Sequence, residues 1–387
     1  MREKILNHYF LSQPHQPFFV LAFVNALISM LLFTLIFQGV LTTDIPAKLY
    51  HSYSIIFLFF TPAFLAFLFT TFPRFSATEV IEKRDYVNIF FPYLTASILS
   101  YVGLFSSTLF AFSIMLSLVA QLGGVNLLWS IYKQSTMKEK DDQFWILTGL
   151  SFGFLAQALL FLSLWFPSLF TIAIQIGIFL YLFLVFFTVA QRMVPFFSHS
   201  PIEKHKERFK VIVGLLALHV FLETIQTHSS FLVDLFLAYL VGRELYRWKL
   251  PFPNPNPLVW ILHIALFWIP VALLISALTN VLTLITGTFY LNIGIHTLAL
   301  GFFLTMLIGF GTRVTIGHSG NIMQADNYTT SLFYATQVVV IARIFTSLSV
   351  SGEYFMLFFN LSIALWLMLF IAWAYRFFAV LVFGKKL

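Results

Sequence analysis

The sequence predicts an all-α membrane protein, a bundle of about twelve transmembrane helices with both termini on the cytoplasmic side. Three observations lead there. Hydrophobic residues make up 60% of the chain and charged residues 10%, whereas a soluble domain carries about 25% charged residues. Apolar runs long enough to span a bilayer recur from end to end. Lys and Arg gather in alternate loops between those runs. A soluble fold could not hide that much apolar surface, so residues 1–387 read as one integral membrane domain. It has six helices in 1–198, a basic cytoplasmic loop at 199–210 and six helices in 211–387.

Residues 1–16 are mixed and polar, without the charged, apolar and small-residue order of a cleavable signal, so the N-terminus is expected to be retained. The first run, 17–41, follows Arg2 and Lys4; Lys48 precedes the second, 50–72, which ends at Arg74 with Lys83 and Arg84 beyond it. The third and fourth are 88–105 and 108–132, leading to Lys133, Lys138 and Lys140. The fifth and sixth, 144–165 and 168–191, lead to Arg192, Lys204, Lys206, Arg208 and Lys210. The seventh and eighth, 209–226 and 230–245, end at Arg243, Arg247 and Lys249. Pro251, Pro253, Pro255 and Pro257 then force an extended loop, because each proline removes a donor and restrains the residue before it. The ninth and tenth runs are 257–279 and 287–312, followed by Arg313. The eleventh, 330–349, contains Arg343, and the twelfth, 354–383, leads to Arg376, Lys385 and Lys386.

Two splits rest on polar punctuation alone, at Ser106–Ser107 and at Thr227 to Ser229. Residues 88–132 are about twice the length one helix needs, which favours the first split. The basic loops fall on one side only if both splits are made or both are missed; missing both leaves ten spans. No internal repeat stands out. The nearest thing is a histidine near the start of the second and tenth runs, each followed by an arginine at the inner end.

The net charge of +7 sits in short loops between apolar runs, so it orients the chain in the lipid bilayer and does not imply nucleic acid. With no cysteine, disulfides, iron–sulfur clusters and thiolate-ligated haem or copper are excluded. Any metal must be held by His, Met or oxygen.

Ionisable groups inside hydrocarbon face a bundle interior, a cavity or a cofactor. They are His51 in the second run, His219 in the seventh, His263 in the ninth, His296 in the tenth, Glu223 and Asp234 around the seventh-to-eighth connection, and Arg343. Neutral imidazole is a common haem and copper ligand, so several helix histidines permit a metal site; a lone one more often bonds a neighbouring helix. His219, with Glu223 one turn later, reads as a helix-surface pair, and Arg343 as a long stem reaching the interface. Gly287, Gly294 and Gly301 stand at heptad spacing, suited to close helix packing or a flat ligand, with His296 on a different side. Residues 309–320, Gly-Phe-Gly-Thr-Arg-Val-Thr-Ile-Gly-His-Ser-Gly, read as a tight turn presenting Arg313 and His318 together at the inner face. Such a pair suits a haem propionate, a phosphate headgroup or an anion; the alternative is a helix-capping turn whose Arg binds lipid phosphates.

In order along the chain, His15-Gln16-Pro17-Phe18-Phe19, Tyr50-His51-Ser52-Tyr53 with Phe69-Thr70-Thr71-Phe72-Pro73-Arg74, Gln191-Arg192-Met193-Val194-Pro195-Phe196-Phe197, Pro257-Leu258-Val259-Trp260-Ile261-Leu262-His263, and the stretch from His296 through Thr305-Met306 and Thr312-Arg313 to Gly317-His318-Ser319-Gly320 resemble the NnrS family of bacterial membrane proteins. The resemblance implies a twelve-helix protein of the bacterial cytoplasmic (inner) membrane that contains haem and copper and is linked to nitric oxide metabolism and nitrosative stress tolerance. By position it implies His51, His263, His296 and His318 as metal ligands and Arg192 and Arg313 as their polar partners. Where many members read Trp-His-Ala-His-Glu, this chain has Tyr50-His51-Ser52-Tyr53-Ser54. A copper site relying on that second histidine and carboxylate lacks both donors here.

The leading expectation is therefore a haem-binding membrane protein, with copper in addition, that meets nitric oxide or an iron-nitrosyl species. A secondary transporter is the alternative, since two sets of six spans is a common permease plan. Against it stand the lack of an acidic proton-relay pair in mid-span and the few interrupted helices. A haem–copper oxidase core is disfavoured because no His-His dipeptide occurs.

Overall fold

Leucine, phenylalanine and alanine runs without interior charge leave the backbone only itself to hydrogen-bond with in lipid, and helices result. The computed structural model describes residues 8–200 and 206–387, in which every regular element is helical and no strand occurs. Arg2, Lys4 and Lys204 of the basic count lie outside the described residues. The long helices are α1 (His15–Phe37), α2 (Ala47–Phe75), α3 (Lys83–Val102), α4 (Ser107–Gln134), α5 (Asp141–Leu162), α6 (Leu169–Phe197), α7 (Lys206–Ile225), α8 (Phe231–Arg247), α9 (Pro257–Thr286), α10 (Ile293–His318), α11 (Asn327–Leu348) and α12 (Phe355–Phe383). All except α7 and α8 are long and apolar enough to cross a membrane. The chain is a polytopic membrane helix bundle.

Both uncertain splits are real helix boundaries. After α3 a 3₁₀ turn, Gly103–Phe105, hands over to Ser106, whose extended backbone and hydroxyl, accepting from the Leu109 N–H, start α4. A Cβ on Gly103 would stand 2.7 Å from the Phe110 nitrogen, so only glycine lets that turn fold against α4. Between α7 and α8 the Glu223 carboxylate accepts the backbone N–H groups of His228 (3.0 Å) and Ser230 (3.1 Å), capping the turn. Glu223 is therefore a loop clasp, and the helix-surface pairing with His219 is not made. Asn256 and Pro257 open α9, the amide oxygen accepting from the Leu258 N–H at 3.0 Å.

At the far end of α9 the chain turns through Gly287 at φ 71°. That glycine thus closes α9 and does not begin the glycine stripe of the next helix, which runs instead through Gly294, Gly301 and Gly309. Nor does the chain turn back at 309–318. These residues continue α10 as helix to His318, and the left-handed turn comes at Gly320.

Three helices carry a π-helical segment: Ser54–Phe60 in α2, Ile176–Leu182 in α6 and Leu298–Leu304 in α10. Their first residues are equally spaced along the chain. The bounds of α2 and α6 repeat at that same spacing, as do Pro73 and Pro195 near their ends. The helices therefore fall into three consecutive groups of four, the second of each group bearing the π segment. The three bearing helices are also the most buried of the spans. Thr61 and Thr305, each directly after a segment, donate both the backbone N–H and the hydroxyl to the carbonyl five residues back, the hydroxyl at 3.0 Å in both.

Two compact units emerge from the contacts. The first comprises the chain to Gly177 with Val314–Ile322 and Phe370–Leu387. Its centre is aromatic, Phe23 lying 4.0 Å from Trp373 and 5.1 Å from Phe370 between ring centroids, with Phe59 against Phe370 at 5.4 Å. Asn25 reaches into this core. Its amide nitrogen donates to the Leu58 carbonyl inside the π segment (2.6 Å) and to Ser97 (2.9 Å), while Tyr101 donates to its oxygen. The second unit comprises Ile178–Arg313 and Met323–Leu369. There α10 lies so close on α9 that a Cβ on Gly294 would meet Ser276 at 2.5 Å and one on Gly301 would meet Trp268 at 2.6 Å. Phe186 and Phe303 stack nearby at 5.1 Å. The twelve residues at 199–210 are shorter as a loop than the sequence implies, since α7 begins at Lys206.

Candidate functional site

A neutral imidazole has one donor and one acceptor nitrogen, so a buried histidine with only one of them engaged carries an unmet valence. In the first unit, His15 opens α1 at 3% exposure, and its ring lies 5.0 Å from that of His318, the last residue of α10. The His15 Nδ1 is buried and has no hydrogen-bond partner among the described residues. Arg74, in the last turn of α2, is near enough to His318 to act on it electrostatically. His51 is half-buried, its ring 4.3 Å from Phe33. Two residues on, Tyr53 is fully buried and shares hydrogen bonds with Ser113 (2.9 Å) and Ser117 (2.8 Å).

In the second unit, His263 sits in the second turn of α9 at 0% exposure, with Nε2 2.7 Å from the Ser198 hydroxyl and Nδ1 buried without a described partner. Ser198 is the residue that ends α6, so the bond ties that end to α9. His296, in the first turn of α10, is half-buried and donates from Nδ1 to the Asn292 carbonyl at 3.1 Å. Arg313 lays its guanidinium 3.7 Å above the Phe197 ring. Arg192 is half-buried in α6. Arg313 and His318 are not presented together: five positions apart on a helix they point roughly 140° away from each other, one to Phe197 and the other to His15. Arg343 donates to Ser347 and, at 3.2 Å, to the Leu291 carbonyl in the α9–α10 loop, so it ties two segments and does not simply reach outward.

A buried polar cluster lies between α7, α8 and α9. His219 is 2% exposed and Asp234 0%. Their Nδ1 and Oδ1 are 2.5 Å apart. The other carboxylate oxygen accepts from Ser230 (3.1 Å) and Ser276 (2.8 Å), and Asn280 links Ser230 (3.4 Å) to the His228 ring (3.0 Å). Phe179 covers the face of His219 at 3.9 Å between ring centroids, and the His219 Nε2 is buried with no described partner. The sequence suggests a helix-surface pair of His219 with Glu223; His219 is instead buried and pairs with Asp234 in the first turn of α8. The signal was present. His219 and Asp234 lie at similar distances either side of the turn, and an antiparallel helix pair brings such residues level.

No group of three or more His, Asp or Glu among the described residues is close enough to hold a metal ion. A cleft of about 870 Å³ in the first unit, lined by Asp44, Lys48, Met115, Trp165 and Phe170 among others, includes none of the sequence-predicted site residues.

A family model described as NnrS protein matches residues 9–383. No curated protein matches the chain.

Proposed function

The chain belongs to the NnrS family, and from that premise we propose that it is a haem-binding protein of the bacterial cytoplasmic membrane that serves nitric oxide metabolism or protection against nitrosative stress. The observation that carries the reading is a set of imidazoles, those of His15, His219 and His263, buried in an apolar bundle with one ring nitrogen each left without a described partner. Leaving such an atom unmet costs about 1–3 kcal/mol, and coordination to a metal removes that cost.

The residues fit haem better than copper. Haem brings four of its own ligands and asks the protein for only one or two, which a single buried histidine supplies. Copper needs several converging donors. His15 and His318 offer two rings in contact, but the position of the family's second histidine is Tyr53, already committed to two serines. When bound, haem iron supplies a site for nitric oxide and a one-electron couple. The protein's own part is to bind, orient and exclude water. His51, His263, His296 and His318 are the ligands the family motifs propose, and Arg192 and Arg313 would neutralise propionates. The apolar helices admit an uncharged diatomic gas directly from the lipid.

An optical spectrum with metal analysis of the purified protein tests this. The expected result is a Soret band that moves when nitric oxide is added. Colourless, metal-free protein from cells supplied with both metals would overturn it. One observation favours a transporter instead, the buried His219–Asp234 pair, which suits a proton-binding site. Protein without a Soret band that moves solute into liposomes would decide for that reading.

A further inference from the structure

The cleft of about 870 Å³ in the first unit has a lining ordered by polarity. It opens among the three turns that lead into α2, α4 and α6, on the side opposite the basic loops. Charged and hydroxyl groups gather at those turns. Asp44 precedes α2, Lys48 lies in its first turn, and Ser107 and Thr108 are the first two residues of α4. Below the turns the wall is apolar. Thr108, Ala111, Phe112 and Met115 line the cleft at the i, i+3, i+4, i+7 spacing of one helix face, which carries the groove about 10 Å down α4. Phe112 and Met115 are 51% and 41% exposed within a membrane span, so the groove is open to the hydrocarbon of the bilayer. Trp165, exposed in the turn after α5, stands where indoles sit at a membrane interface. Such a shape fits a ligand with a polar head and a hydrocarbon tail.

The charges decide which head. Lys48 is the one Lys or Arg in the loops opposite the basic ones, and its ammonium rests over the Phe170 ring, 5.0 Å from the centroid. It forms no ion pair with Asp44 among the described residues, so both charges face the cleft unanswered. A cation beside two hydroxyls and the N–H groups that open a long helix suits a phosphate, and a carboxylate suits a primary ammonium. A neutral quinone head would leave both charges unmet, and an anionic head would leave Asp44 unmet. We propose that the cleft binds a phospholipid of the phosphatidylethanolamine type, its phosphate on Lys48 and the start of α4, its ammonium on Asp44 and one acyl chain along Phe112 and Met115. The volume lies within the roughly 300–1,000 Å³ of small-molecule sites, so the cleft takes the headgroup and part of one chain while the other chain stays in the bilayer. This site is independent of the haem reading.

Native mass spectrometry of the full chain in detergent, titrated with dioleoyl phosphatidylethanolamine, tests this. That lipid is expected to bind about 5- to 10-fold more tightly than the matching choline lipid, whose methylated ammonium has no proton to donate to Asp44, or the glycerol lipid, which has no ammonium. Lys48→Met should weaken the ethanolamine lipid by a similar factor, and Asp44→Asn should remove its advantage over the glycerol lipid. Both residues are exposed, so these variants are expected to fold. Met115→Trp fills the groove without touching a charge and should weaken all three lipids alike. Equal binding of the three lipids, or wild-type affinity in Lys48→Met or Met115→Trp, would overturn the proposal. So would recovery of an isoprenoid quinone in place of phospholipid from the purified protein.

Discussion

Single side chains decide where this bundle tolerates polarity. Asn25, fully buried, donates to the Leu58 carbonyl within the π segment of α2, and Tyr101 donates to its amide oxygen. Asn25→Ala should cost about 1–3 kcal/mol, because the Leu58 carbonyl and the Ser97 and Tyr101 hydroxyls would lose their partner in a dry core. Thermal unfolding in detergent reads this as a lowered midpoint; an unchanged midpoint would mean that water takes the amide's place. Little of this was legible beforehand. An asparagine in an apolar run announces that something polar is near, but which carbonyl it serves depends on a π segment that no local pattern in Ser54–Phe60 betrays. The same holds for His15, which sequence reading placed in an opening motif and the structure places against His318, a residue contributed from the far end of the chain. Arg192 and Arg313 were visible as polar residues at helix ends. That Arg313 lies on Phe197 was not.

Helix pairs are held by what they omit as much as by what they contain. At Gly301 the Trp268 ring occupies the space of a side chain, and Trp268 is pinned by donating its indole N–H to Gln337 at 2.7 Å. Gly301→Ala is therefore expected to destabilise by about 1–3 kcal/mol through overpacking. Gly214 in α7, where a Cβ would meet nothing within 4 Å, provides the contrast. Gly214→Ala should be neutral or stabilise by up to about 1 kcal/mol, from helix propensity alone. Midpoints of unfolding for the two variants check both signs, and equal effects would refute the close α9–α10 contact. The α7–α8 pair is clasped differently, by Arg208 to Glu244 at 3.1 Å near one end and by His219 to Asp234 toward the other. Helix existence was readable from run length because hydrocarbon permits little else. The repeat of four helices was not, since apolar side chains of many kinds satisfy the same π-bearing helix. The matching of α2 and α6 lies in backbone geometry and in Pro73 and Pro195, with little side-chain identity to reveal it.

At the scale of the molecule, α7 and α8 stand apart from the ten helices that are long and apolar enough to cross a bilayer. Helix α7 begins with Lys206, Glu207, Arg208 and Lys210, and α8 is only 17 residues long, which keeps both short of the apolarity and length of the rest. A helix of that length still spans about 26 Å, close to the roughly 30 Å of a hydrocarbon core. The outward faces favour a crossing. Leu218, Phe221 and Ile225 on α7, and Leu232, Leu235, Phe236 and Tyr239 on α8, are all exposed. Water would not support an apolar band of that extent, and lipid would. The charges at the start of α7 and the arginines at the end of α8 then stand at one interface, with the turn at 226–230 at the other. Counting basic loops cannot separate ten crossings from twelve, because removing a helix pair leaves every later loop on the same side. A reporter that functions only outside the cytoplasm, fused within 226–229, separates them. It should be active there and silent within 199–210. Activity that appears only for a cytoplasmic reporter in both places would mean that the α7–α8 pair lies on the inner face, and that the buried His219–Asp234 dyad is reached from the cytoplasm.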